Sequence, residues 1–410
     1  MIFSPKFHQK LRKYATRGGL LKLPLLLPAF FLVVLMILLR PFIIVQIYRV
    51  YDWRFGHFVL SSHMMILETI EWNNSHKKKK LIVYYFPSKV SSNSYFKQKL
   101  KSKHLSIQNN FGFVTFIFCN FFRFLIATTD DAAVDIGGLS LKYPPQISFS
   151  RNEIAIGTKF LDQFGLNLND KFVCLNVRDN SYAGQTHGRA FYRHANRNSK
   201  IQSYVEAAET LSKLGYTVFR MGALLSEPLN SDNPRVIDYA TNGMRSEFLD
   251  LFLGAHCKFA VLTNAGWANV PRIFKRPILF VNSVPVVESH NITSPAIFYP
   301  KRVIEISSGK MLSINELCDR NLLCASHVSQ FANQGYRFED LSHEDLTKAV
   351  TEMVARVEMQ FVPTDQEKLL QEKLNRELTN NPCIQPTPGY YPVRAEYATC
   401  FLVKYPKFLD

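Results

Sequence analysis

The feature that most constrains this chain is the regular exchange, between Lys171 and Val281, of short apolar runs with stretches of helical apolar spacing. Lys171 to Val177, Tyr216 to Met221, Arg235 to Tyr239, Lys258 to Leu262 and Pro277 to Val281 have the length and the near-continuous apolar character of strands. Between them Ile201 to Leu214, Ser246 to Leu253 and the stretch ending at Phe274 repeat apolar residues at helical intervals, and Gly215 stands where a helix should stop. Strands buried on both faces and linked by helices form a parallel sheet. Open sheets of that kind hold ligands beyond the carboxyl ends of their strands, so the residues that follow each apolar run are the ones to read for function.

The front half repeats the pattern. Phe42 to Val50 reads as a strand, Arg54-Phe55-Gly56-His57 as a loop, Phe58 to Trp72 as a helix, and Leu81 to Phe86 as a second strand closed by Pro87. Phe111 to Phe118 is expected to be another strand. A break between Leu141 and Asn169 contains Pro144-Pro145 and Gly165. The domain reading is therefore a segment 1–41, an α/β domain 42–165, a second α/β domain 166–345, and helices and tail over 346–410. Leu341 to Met359 and Asp365 to Leu378 are amphipathic, with Ser342 placed to cap the first of these helices. Two such halves are expected to face a cleft.

Lys and Arg number 49 against 33 for Asp and Glu, and the excess is concentrated at the front. Eight basic residues (Lys6, Lys10, Arg12, Lys13, Arg17, Lys22, Arg40, Arg49) precede the first acidic one, Asp52. Within this region Leu23 to Leu39 carries no charge; its seventeen residues reach about 25 Å as a helix, the lower edge of a membrane span. No small-residue cleavage site follows, which argues against a secretory signal. A spanning helix and a helix resting on the membrane surface both fit, and the second is preferred. No zinc-finger spacing or RNA-binding signature accompanies the basic charge, so anionic lipid is the expected partner and nucleic acid is not. The seven cysteines are widely spaced without a CxxC, which excludes a disulfide framework or structural zinc site as the organising principle; Cys174 and Cys257 read as buried hydrophobes.

Five clusters can carry chemistry. Asn176-Val177-Arg178-Asp179 ends a strand, and an arginine there can grip a diphosphate with paired hydrogen bonds or can join a structural ion pair. His194-Ala195-Asn196-Arg197-Asn198 precedes a helix. Asn198 or Ser199 can serve as a plain cap, whereas Arg193 and Arg197 beside a helix start suit an anion. Arg220 and Gly222 end the strand Phe219-Arg220-Met221-Gly222; Arg220, if buried, needs a partner, and Asp238 is the natural one. Thr263-Asn264-Ala265-Gly266 joins a strand to a helix, either as an amide-lined phosphate turn or as a tight turn only. Gly56-His57, with Arg54, follows a strand in the front half, where the histidine can act as a general base or be structural.

Taken together, Val-Arg-Asp, His-Ala-Asn-Arg-Asn, Gly-Tyr-Thr-Val-Phe-Arg-Met-Gly, Ile-Asp-Tyr-Ala and Phe-Leu-Asp-Leu-Phe-Leu-Gly-Ala-His-Cys-Lys-Phe resemble words of a bacterial glycosyltransferase family found in surface-polysaccharide gene clusters. Arg54-Phe55-Gly56-His57 is similar to that family's Arg-Ile-Gly-His. The resemblance covers roughly 42–360 and implies two Rossmann-like domains of the GT-B type. It implies sugar transfer from a nucleotide-sugar, without a metal or other cofactor, to a cell-surface polysaccharide or lipid-linked acceptor. A looser likeness to fucosyltransferases of that fold gives Arg178 the place of the arginine that holds the donor diphosphate. By this reading Arg178, Arg193, Arg197, Asn198, Arg220, Gly222, Asp238, Asn264 and Gly266 bind the donor. Arg54 and Gly56 lie on the acceptor side, and His57 and Asp179 are the catalytic candidates. Ala265 departs from the family pattern, which has serine there. The implied place is the bacterial inner membrane, peripheral or held by one N-terminal anchor, with the catalytic body in the cytoplasm. A nucleotide-sugar epimerase of the same fold and a non-catalytic polysaccharide-assembly protein are the rival readings.

Overall fold

The computed structural model describes residues 23–128, 135, 138–181, 188–284, 296–323, 325, 327–380 and 396–410. The chain divides into two compact units, 1–132 and 133–410.

The first unit is built on four parallel strands in the order β3-β2-β1-β4: β1 Ile44–Arg49, β2 Lys80–Phe86, β3 Ser106–Gln108 and β4 Ile126–Ala127. Alternation along β1 feeds two layers. Val45 and Ile47 join Val33 and Met36 of helix α1 (Leu23–Leu39), together with Tyr85, Cys119 and Leu125, in one buried cluster. Tyr48 turns the other way, its ring edge-on to that of Tyr84 at 5.7 Å, and the long helix α2 (Phe55–Ser75) follows β1; burial pushes the Tyr48 phenol well above its ordinary value. Helix α3 (Ser94–Lys103) follows β2 and is capped by Asn93, whose side chain accepts from the Phe96 amide at 2.7 Å.

Two expectations are corrected here. Residues 111–118 belong not to a strand but to helix α4 (Asn109–Cys119). The run is apolar on every side, so its sequence carries no period to separate helix from strand. Gly112 decides the packing: a Cβ there would lie 2.6 Å from the Tyr85 ring, so the glycine lets the helix close onto β2. The second correction concerns residues 1–41. Leu23–Leu39 is helical over its seventeen residues, but it is no separate appendage, since Ala29, Val33 and Met36 are buried in the first unit. Among the described residues no helix is long and apolar enough to cross a membrane.

The second unit holds seven parallel strands in the order β13-β10-β9-β8-β5-β6-β7. The strands are β5 Phe172–Asn176, β6 Thr217–Arg220, β7 Val236–Ile237, β8 Phe259–Leu262, β9 Ile278–Ser283, β10 Ala296–Pro300 and β13 Glu396–Tyr397. A separate antiparallel pair joins β11 (Arg302–Glu305) to β12 (Tyr336–Glu339). Helices α6 (Val205–Lys213), α7 (Glu247–His256) and α8 (Asn269–Ile273) connect the strands, and α9 (His343–Val357), α10 (Asp365–Asn380) and α11 (Thr399–Lys404) close the chain. The caps read from sequence are present: Ser246 accepts from the Leu249 amide at 3.1 Å, and Ser342 forms a capping box with Asp345. Gly215 takes φ +89°, the left-handed stop that only glycine adopts without strain. Cys174 and Cys257 are buried, and burial pushes the Cys174 thiol up.

The domain boundary also moves. Helix α5 (Arg151–Asp162), placed in the first domain by its position before Gly165, belongs to the second unit. It docks there through Gly157, where a Cβ would fall 2.1 Å from the Phe252 ring, and through Phe160, whose ring packs on Phe219 and Tyr239. Gly157→Ala is therefore expected to destabilise the second unit by about 1–3 kcal/mol in urea unfolding, overpacking outweighing the better helix propensity of alanine.

Below the turn after β8, Asp250 bonds Arg245 at 2.6 Å and accepts from the Tyr239 hydroxyl at 3.2 Å, and its backbone carbonyl receives the Trp267 indole at 3.1 Å. Burial outweighs the guanidinium and pushes this carboxyl from 3.8 up to about 6. A raised carboxyl pKa in the fold stabilises below the unfolded value and loses that contribution as pH rises through the folded one. Unfolding free energy should fall by up to about 3 kcal/mol between about pH 4 and 6, and Asp250→Asn should flatten that slope.

Candidate functional site

From β5 the chain steps outward to β6 and β7, then returns to the opposite flank of β5 with β8, β9 and β10. The crossovers on the two sides diverge, and the crevice at a reversal of this kind opens past the carboxyl ends of the two strands that flank it, here β5 and β8. The residues found there are Val177-Arg178-Asp179 and Thr263-Asn264.

Short polar ties fix these ends. The Thr263 amide donates to the Asn176 carbonyl at 3.1 Å, and the Arg178 amide donates to the Thr263 hydroxyl at 2.8 Å. The Asn176 side chain donates to the Met221 carbonyl at 2.9 Å, which joins the exit of β5 to that of β6. Asn264 accepts from the Val284 amide at 2.9 Å, which joins β8 to β9. The Ser199 amide donates to the Arg178 carbonyl at 3.0 Å, and Asn198 donates to the Asn180 side chain at 2.6 Å. The segment with Arg193, Arg197 and Asn198 is thereby pinned beside the Arg178 backbone. Arg178 is half-buried, as are Arg197 and Asn198, while Arg193 is exposed. Residues 182–187, between Asp179 and this segment, lie outside the described residues.

The far end of this segment is held by groups the sequence reading missed. Lys301, at the exit of β10, donates to the Asn198 carbonyl at 2.6 Å and pairs with Asp340 at 2.6 Å. Burial pushes the Lys301 ammonium down, and Asp340 opposes that shift. Asp340 also accepts from the Ser199 hydroxyl at 2.9 Å. Beside them Asn282 donates to the Tyr204 hydroxyl at 2.8 Å and accepts from the Leu341 amide at 2.8 Å. The available signal was the polar residue ending each apolar run: Asn282 after Phe-Val, and Lys301 after Phe-Tyr-Pro. Neither Asn198 nor Ser199 serves as the helix cap; that position falls to Lys200, which makes no side-chain cap bond.

Several candidates have other employment. Arg220 is almost wholly buried, bonds both Asp238 oxygens at 3.1 Å and donates to the Glu227 carbonyl at 2.9 Å. Asp238 accepts in addition from the Leu229 amide and the Thr241 hydroxyl. The pair staples the loop after β6, and so Arg220 and Asp238 leave the list of donor contacts. Gly222 begins that loop, where a Cβ would press on the Leu225 side chain at 2.6 Å. Asp179 accepts from the Ser181 amide and from both the amide and hydroxyl of Ser226, at 2.8–2.9 Å. Three donors on one carboxylate make it a tether of the same loop rather than a base waiting for a proton. The Thr263–Gly266 turn is corrected as well. The Ala265 amide is bonded to the Thr263 carbonyl at 2.7 Å, and beyond it come only a three-residue turn, Gly266–Ala268, and the five-residue α8. No amide-lined helix start of useful length faces an anion there.

In the first unit the chain reverses between β1 and β4, and His57 stands in the first turn of α2, just past β1. Its ring is half-buried, 6.0 Å from that of Tyr51, with Gly56 beside it and Arg54 at the N-cap. Sequence reading passed over Asp52 in the same loop. This carboxylate is fully buried, 3.4 Å from both the Lys97 ammonium and the Ser88 amide, and its backbone carbonyl receives the amide and hydroxyl of Ser92. Among the described residues no cluster of His, Cys, Asp and Glu is arranged to hold a metal ion.

No protein-family model matches the chain, and no curated protein matches it. Among solved structures it is similar to a family 9 glycosyltransferase from Veillonella parvula, at 11% identity and TM-score 0.44 over 76% of this chain and 97% of that one. A second is the ADP-heptose lipopolysaccharide heptosyltransferase II of Escherichia coli, at 13% identity and TM-score 0.38 over 62% and 90%. A third is an iron-containing dodecameric heptosyltransferase in complex with ADP-heptose, at 12% identity and TM-score 0.33 over 62% of each chain.

Removing one partner of a buried ion pair strands the other. Asp238→Ala should therefore cost about 3–5 kcal/mol in urea unfolding, and the double change Arg220→Met with Asp238→Leu should restore much of it. Recovery of stability without change in nucleotide affinity marks the pair as structural.

Proposed function

We propose that the chain is a glycosyltransferase that takes a sugar from a nucleoside-diphosphate donor held by the second unit. The observation that carries this reading is the placement of Arg178 at the reversal point of the seven-stranded sheet, with the Arg193–Asn198 segment bonded alongside it. A guanidinium offers a planar pair of donors that matches a phosphate edge. When the sugar leaves, the diphosphate gains negative charge. Arg178, its backbone bonded to Thr263 and Ser199, and Arg197, two residues before Ser199, are the groups proposed to stabilise that charge. Arg193 is positioned to screen the outer phosphate, and Asn198 to bond a sugar or phosphate oxygen. Asn264 and Gly266 border the same crevice and shape its floor.

The acceptor is a saccharide or a lipid-linked saccharide of the cell envelope, and the first unit is its side. There His57, flanked by Arg54 and Gly56 past the end of β1, is the base proposed to remove the acceptor hydroxyl proton. The proposed reaction draws on no metal: cationic side chains neutralise the leaving diphosphate in place of a divalent ion.

Calorimetric titration of the full chain with UDP, ADP, GDP and CDP tests the donor half. One diphosphate is expected to bind, and Arg178→Ala should weaken it at least tenfold, about 1.4 kcal/mol or more, in a protein that stays folded. An unaltered affinity in the folded variant removes Arg178 from the site. Incubation with the matching nucleotide-sugar then separates the rivals: an isomer formed without acceptor indicates an epimerase, and tight binding without turnover indicates an assembly protein.

A further inference from the structure

The apolar residues of α1 are divided between two jobs. Ala29, Val33 and Met36 lie in the core of the first unit. Leu27, Phe31, Leu35, Leu38 and Phe42 follow one another at steps of four, four, three and four, the spacing of one helix face continued just past its end. These five are between 49% and 80% exposed. Leu26 and Phe30 widen the stripe. The turn after α4 adds exposed Phe121, Phe122 and Phe124, and Arg40 lies over the Phe124 ring at 4.0 Å, which joins that turn to the end of α1. Phe30 in turn meets Phe118 of α4, with ring centroids 6.4 Å apart. A continuous apolar face of this extent is unusual on a protein surface that only water covers.

Charge selects what covers it. Arg40 and Arg123 stand at the rim, and six more basic residues (Lys6, Lys10, Arg12, Lys13, Arg17, Lys22) precede the helix, with no acidic residue before Asp52. A second copy of the chain would set these cations against their own kind. An anionic bilayer neutralises them while its acyl region receives the aromatic and leucine side chains. The buried back face also fixes the mode, because the helix cannot tip into a spanning orientation without pulling Val33 and Met36 out of the core.

We propose that α1, Phe42 and the Phe121–Phe124 turn together form one interfacial docking face, with α1 lying in the plane of an anionic bilayer and the first unit seated on its headgroups. This inference stands apart from the sugar-transfer reading, since it concerns no residue of the donor or acceptor site.

Flotation of the full chain with vesicles tests it. Vesicles of phosphatidylethanolamine and phosphatidylglycerol should carry the protein, pure phosphatidylcholine vesicles should carry at least about tenfold less, and about 0.5 M salt should weaken the binding. The triple variant L35S/L38S/F42S removes three exposed side chains and should lose binding at least about tenfold with the melting temperature kept. The pair F42S/F122S, which leaves α1 untouched, should weaken binding as well and guards against a folding defect in the first variant. Wild-type flotation by both folded variants would overturn the proposal, since the basic leader alone would then suffice. A soluble dimer that the triple variant splits would overturn it in favour of a second copy.

Discussion

Everything at the candidate donor site depends on the parting of the chain on either side of β5. Where neighbouring parallel strands are followed by helices on opposite faces, their ends are left without a covering crossover, and the polar backbone there must find partners locally. The chain supplies them from side chains. The Thr263 hydroxyl takes the Arg178 amide, Asn176 takes the Met221 carbonyl, and Asn264 takes the Val284 amide. These bonds set the direction in which Arg178 leaves the sheet. A long cationic side chain loses much rotamer freedom when it binds an anion, so a backbone already fixed beneath it lowers what remains to be ordered.

The network extends outward by charge. Lys301 is buried with its ammonium on the Asn198 carbonyl and on Asp340, and the same carboxylate receives Ser199. One buried cation thus anchors the segment that carries Arg193 and Arg197 from the side opposite Arg178. Arg220 with Asp238 does comparable work one strand away, holding the loop after β6 that Asp179 also tethers. Arg220 and Lys301, each paired with a carboxylate, thus build the rim of this sheet edge.

How much of this could be read in the sequence follows from what each feature looks like locally. The strands of the second unit were legible because they are buried on both faces, and a short unbroken apolar run such as Phe172 to Leu175 has few other uses. The site at the end of β5 was legible for the same reason, since a polar word directly after such a run marks a strand exit. Ser246, Gly215 and Ser342 announced their helix ends because capping is chemistry among near neighbours. Partners far apart in the chain gave no such signal. Lys301 and Asp340, or Asn282 and Tyr204, meet only through the fold. The strands β10 and β13 and the pair β11–β12 escaped notice because they are short and stand among loops. The roles first given to Asp179 and to the Thr263–Gly266 turn failed at the level of hydrogen bonds, which residue type does not reveal.

The two helices misjudged in the first unit share one cause. Helices α1 and α4 are apolar on nearly every side, so neither displays the polar face that would give its period and orientation. In an ordinary surface helix the polar stripe tells which side meets water, and composition alone separates core from solvent. Here that distinction is absent, and the choice between helix and strand for α4, or between separate anchor and core element for α1, passes to packing. Gly112 against Tyr85 makes the choice for α4, and Val33 and Met36 make it for α1. What remains of α1 after the core has taken its share is an apolar stripe on the outside of a folded unit, bordered by cations. The same lack of polarity that hid the role of the helix in sequence is what leaves that stripe suited to a non-aqueous neighbour.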